Sequence, residues 1–174
     1  MRAIVLGLLV MAGPVMAQEG RVIEGFGRFS VIEDAELKPD PALRYRVVFD
    51  VMAAARAADA PHQGFERVAR MVNLLGAGGV TMHPGDLVVT VHGPAARALL
   101  TDAEHAKRYE GAANASAGLL AALMKAGVEV RLCGQTAKAM AVTRAELLPG
   151  VHIDTSAITT MATLQLKGWA LIQD

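Results

Sequence analysis

The 174-residue sequence has one cysteine, Cys133, in the run Val128-Glu129-Val130-Arg131-Leu132-Cys133-Gly134-Gln135-Thr136. Strand-type residues give way there to helix-type ones. A thiol reacts as its thiolate, and the start of a helix favours that anion through unpaired N–H groups and the helix dipole. The geometry suits nucleophilic attack or storage of sulfur as a persulfide. Gly134 leaves room for a sulfur-bearing substrate or a partner's thiol to approach the backbone. The other reading is an inert core thiol, since free cysteine is among the most buried residue types. Strand alternation puts Glu129, Arg131 and Cys133 on one face and Val128, Val130 and Leu132 on the other. The thiol is therefore expected on the face that carries charge.

A lone cysteine cannot close an internal disulfide or build a thiolate-rich zinc or iron–sulfur site. His92, in His92-Gly93-Pro94, follows a second strand-like segment. Its imidazole titrates near neutral pH and can stabilise a thiolate or move a proton, or it can be satisfied by loop backbone. His62, His83, His105 and His152 lack metal-ligand spacing, so solvent or capping roles are expected and no metal is. Asn114-Ala115-Ser116 fits the glycosylation acceptor pattern, a short match with little specificity.

The first residues are set apart from the fold. Met1–Ala17 has basic Arg2, an apolar stretch from Ala3 to Ala12 and the small-ended Val15-Met16-Ala17, the order of a secretory signal peptide. Cleavage after Ala17 and a soluble, periplasmic or otherwise exported chain are expected. Lys plus Arg and Asp plus Glu are equal at 17 each, so charge gives no case for nucleic acid or an anionic membrane surface. Hydrophobic residues make up 53% with much alanine, while aromatics are only 4%, consistent with close helix packing in a compact α/β domain.

The elements that must position the thiol follow from periodicity. Residues 18–43, broken by glycines and prolines, read as an N-terminal arm with a short strand at Arg28–Ile32. Arg44–Val51 is nearly continuously apolar, as in a central strand covered on both faces. Phe65, Val68, Ala69, Val72 and Leu75 recur at helical offsets, which predicts a helix over Gln63–Leu75 closed by Gly76-Ala77-Gly78-Gly79. Asp86–Gly93 reads as the second strand, followed by a polar loop through Tyr109. A helix is expected over Asn114–Ala126 and a third strand over Val128–Cys133. Helical composition over Thr136–Leu147 precedes a strand at Val151–Thr155, and Ser156 caps a last helix over Ala157–Ile172. That helix is apolar around much of its circumference, as for a face set against another subunit. Alternating strands and helices predict an α/β fold with a mainly parallel sheet, whose ligands lie beyond the carboxyl ends of the strands.

Several segments in order resemble the DsrE/DsrF-like family in its exported branch: Tyr45–Val51, Val68–Leu75, Val91-His-Gly-Pro94, Gly127–Gln135 with its Cys-Gly-Gln motif, Leu147-Leu-Pro-Gly150 and Ala157–Gln165. The resemblance covers about Phe26 to the C-terminus. It implies a flavodoxin-like three-layer domain over residues 44–174 that forms homo-oligomers, trimers or hexamers. It also implies a thiol at Cys133 that carries persulfide sulfur between thiol-bearing donor and acceptor proteins, and His92 matches a family motif residue to which no role is assigned. Gly134, Gln135, His92 and Gly93 are expected to support the thiol, and no cofactor is expected. The alternative is a non-catalytic oligomeric module that binds a small ligand or protein and keeps the thiol for structure.

Overall fold

The computed structural model describes residues 22–173; Met1–Ala17, expected as a signal peptide, lies outside them. In chain order the elements are β1 (Val47–Val51), α1 (Gln63–Ala77), β2 (Leu87–Val91), a 3-10 turn (Gly93–Leu99), α2 (Asp102–Arg108), α3 (Ala117–Lys125), β3 (Glu129–Cys133), α4 (Gly134–Ala139), a second 3-10 turn (Arg144–Glu146), β4 (His152–Asp154), α5 (Ala157–Leu166) and β5 (Ala170–Gln173). The strands form one five-stranded sheet in the order β4-β3-β2-β1-β5, and every pairing in it is parallel. The expected α/β architecture is present. β2 is the middle strand, and β1 is an interior strand beside it.

The connections explain which face each helix covers. The chain steps from β1 to β4 across the sheet and then returns past β1 to form β5. Because such crossovers are right-handed, the reversal sends α5 to the face opposite α1 and α3. Val47, Phe49, Val51, Val89, Val91 and Leu132 share a core with Phe65, Val68, Val72 and the leucines of α3. Burying each of these large side chains stabilises the fold by roughly 1.5–3 kcal/mol. On the other face Val48 and Val88 are also buried, and α5 packs there against β1, β2 and β5.

Several expected elements differ. Ala157–Ile172 is not one helix: Gly168, at φ +92°, turns the chain so that Ala170–Gln173 becomes a fifth strand beside β1. Residues 102–108, expected as loop, are helical, yet none of them is buried and so they leave no apolar stripe to read. Thr136–Leu147 is broken after Ala139 by Ala141 at φ 51°.

Arg28–Ile32 forms no strand. The arm is instead fastened by Asn73 of α1. Its Oδ1 accepts from the amides of Val22 and Ile23, and its Nδ2 donates to the carbonyls of Ile23, Phe26 and Gly27.

Candidate functional site

β3 ends at Cys133 and α4 begins with the next residue, so the thiol occupies the N-cap position with extended backbone at φ -62°, ψ 120°. Parallel register sets its neighbours. Val91 pairs with Leu132, which places His92 beside Cys133 at the next position, and Cys133 itself pairs with Asp154. Alternation then puts Cys133 on the α5 face of the sheet.

The Ala157 amide, in the first turn of α5, the amides of Thr136 and Gln135 and the Thr136 hydroxyl all favour the thiolate. They belong to the starts of two helices, α4 and α5. Burial pushes the thiol pKa up, but these groups outweigh it and hold the thiol below its ordinary value. The residue is only 6% exposed.

Thr136 also links the thiol to the His92-Gly93 segment. Its Oγ1 accepts from the Gly93 amide at 3.2 Å. Gly93 has φ +55°, a backbone that side-chain-bearing residues rarely adopt, and a Cβ there would meet Met52 Cγ at 3.1 Å. His92 is satisfied by a carboxylate, not by loop backbone: its Nε2 donates to Asp50 Oδ1 at 2.8 Å. Aspartate only accepts, so this bond fixes the proton on Nε2 and leaves Nδ1 for another partner. Asp50 and Thr136 are not singled out by the sequence: Asp50 stands on β1, far along the chain from His92, and Thr136, in the same run as the thiol, is a residue type common at any helix start.

A family model described as the DsrE/DsrF-like family matches residues 38–173. The chain belongs to the DsrE/DsrF-like family. A solved structure titled "Structure of Protein of Unknown Function MTH1491 from Methanobacterium thermoautotrophicum" is 22% identical, with a TM-score of 0.55, covering 75% of this chain and 99% of that one. That likeness shows the fold. No curated protein matches the chain.

In this DsrE/DsrF-like chain the close approach expected at Gly134 is made from within. A Cβ on Gly134 would lie 2.5 Å from the Asp154 carbonyl oxygen and 3.3 Å from that of Thr155. The glycine seats the end of β4, and its open side is not turned to a substrate. Gln135 reinforces the same junction, its Nε2 donating to the Thr155 carbonyl at 3.1 Å. On the charged face Arg131 reaches Asp154 Oδ1 at 2.9 Å and Glu129 Oε2 at 2.6 Å, while Thr160 of α5 donates to Asp154 Oδ2. Charge beside the thiol is thereby locked into the scaffold.

The remaining histidines are separate from the thiol. His62 caps α1, accepting at Nδ1 from the Gly64 amide and donating from Nε2 to the Ala53 carbonyl. His105 Nδ1 donates to the Ala112 carbonyl. Asn114 is buried, and its Nδ2 donates to the carbonyls of Ala98 and Leu100, leaving the glycosylation pattern no exposed amide. Among the described residues no helix is long and apolar enough to cross a membrane.

Proposed function

We propose that this DsrE/DsrF-like chain is an exported sulfur carrier whose Cys133 holds sulfane sulfur as a persulfide. The observation that carries the reading is the place of Cys133 at the junction of β3 and α4, where the surrounding amides hold the thiol below its ordinary pKa. In the loading step the Cys133 thiolate attacks the terminal sulfur of a donor persulfide, RS–SH. The new bond joins that sulfur to Sγ, the donor's S–S bond breaks, and the donor leaves as its thiolate. Delivery is the reverse: an acceptor thiolate takes the terminal sulfur and Cys133 departs as thiolate. A thiol of lowered pKa is the better leaving group, so the same surroundings favour delivery. With the residue only 6% exposed, transfer requires local opening of α4 or of the turn between β4 and α5. His92, fixed by Asp50, acts as a positioning group at this edge.

Intact-mass measurement after treatment with a sulfane-sulfur donor tests the reading. The expected result is a gain of one sulfur, absent in Cys133→Ser. No adduct under conditions that load a control carrier overturns it. The same burial favours a second reading, a binding module with a structural thiol. Slow alkylation together with full biological activity of Cys133→Ser would select that one. Export after cleavage at Ala17 belongs to the first reading, and N-terminal sequencing of the native protein checks it. We also infer a homo-oligomer, a trimer or hexamer, assembled through α5.

A further inference from the structure

A second feature lies at the same edge of the sheet, away from the sulfur. The loop after β1, the 3-10 turn after β2 and α2 enclose a cleft of about 700 Å³, within the range of small-molecule sites. One wall is Ala54, Ala55, Arg56, Ala57, Ala58 and Ala60, five alanines and one arginine. Alanine is the strongest helix former, yet this run is irregular. The Arg56 amide donates to the Gln63 side chain and a turn forms at Ala58-Asp59, while the whole run is exposed, so its other amides are open to solvent or to a ligand.

The cleft is also cationic in a chain without net charge. Arg56, Arg97, His105 and Arg108 line it, against one acid, Glu110. Arg108 is committed, bonded to Glu146 and to the carbonyls of Met140 and Ala141. Arg97 and Arg56 have no carboxylate partner among the described residues. The Arg97 guanidinium is held 3.7 Å over the Tyr109 ring, which orients its donors without using them. Arg97 also lines a neighbouring cavity of about 520 Å³ that reaches Gln135 and Thr136 of α4.

We propose that the alanine-walled cleft binds a small organic anion, its acidic group held by Arg97 and Arg56 and its apolar part resting on the alanines. The site does not depend on sulfur transfer. Its test is calorimetric titration of the whole mature protein at low salt with S-methylglutathione, malonate and inorganic phosphate. S-Methylglutathione has a blocked sulfur, so a signal from it owes nothing to thiol chemistry. Saturable binding is expected for an organic probe, unchanged in Cys133→Ser and weakened about tenfold or more in Arg97→Gln, as for loss of a charge-assisted hydrogen bond. Arg56→Gln should weaken it in the same direction, and added salt should do so too. Both arginines are exposed, and unchanged melting curves confirm that the variants fold. No saturable binding of any probe, or binding as tight as that of the unaltered protein in both Arg97→Gln and Arg97→Glu, overturns the proposal. Phosphate binding as tightly as the organic probes overturns the role of the alanine wall. Loss of binding in Cys133→Ser would move the site to the thiol and refute the cleft.

Discussion

A thiol withdrawn from water ordinarily becomes harder to ionise. At Cys133 that effect is present, and it is overcome by groups at two helix starts. The pH dependence of alkylation should therefore have its midpoint below the ordinary value of 9.0. Thr136→Val, which removes the hydroxyl donor, should move the midpoint up, and Thr136→Ser should leave it nearly in place. Linkage gives the same group a second readout. A folded-state pKa below the unfolded one means that the contribution to stability is fully present above the unfolded pKa and lost as pH falls through the folded one. Unfolding free energy should thus rise with pH on approaching 9.0, and Cys133→Ser should lack that rise. Gly134 makes a purely steric prediction. Because an added Cβ would lie 2.5 Å from the Asp154 carbonyl oxygen, Gly134→Ala should destabilise the fold by roughly 1–3 kcal/mol in chemical denaturation, as overpacking does.

Among the elements, the short turn Arg144–Glu146 holds α2 and α4 in relation to each other. The amide and hydroxyl of Thr143 both donate to Glu146 Oε2, and Arg108 reaches Glu146 Oε1 at 2.8 Å while also bonding the carbonyl of Met140, the residue that caps α4. The Thr143 amide above all, then Arg108, lowers the Glu146 carboxyl from 4.5 to about 2. Its stabilising contribution is present above pH 4.5 and lost as pH falls through about 2. An acid titration followed by circular dichroism should show that component in the native protein and not in Glu146→Gln. The one sequence signal of this turn is the capping-box spacing of Thr143 and Glu146, whereas β1, β2, β3 and α1 were legible because burial imposes a period on them. α2 buries no residue and imprints no period. β5 was hidden inside an apolar run, where one glycine at φ +92° decides between helix and strand. The site divides in the same way. Cys133, His92 and Gly93 were readable by residue type. Ala157 acts through its amide, so its side chain signals nothing, and Asp50 meets His92 only across neighbouring strands.

At the scale of the whole molecule, a parallel sheet is ordinarily covered on both faces. Here α1 and α3 cover one face, and α5 packs on the β1, β2 and β5 part of the other. Glu129, Arg131 and Asp154 remain half-buried on β3 and β4, on the side α5 leaves open. α5 itself buries only Ala157, while Ile158 is 75% exposed and Leu166 89% exposed. An apolar helix so little used by its own sheet has surface to give to a second copy. Because its first turn also supplies the Ala157 amide to Cys133, association through α5 would steady the thiol's environment as well as cover the sheet. Ile158→Asp combined with Leu166→Asp places charges on that face without touching the domain core. Sedimentation equilibrium should then shift from an oligomeric mass to the monomer, with the helical spectrum retained. In the dissociated protein alkylation of Cys133 should be faster by about tenfold or more, since freeing the turn before α5 by about 1.4 kcal/mol raises its open population by that factor. A monomeric native protein, or an oligomer that survives both charges, would show that α5 is not the contact and that the sulfur opens without regard to association.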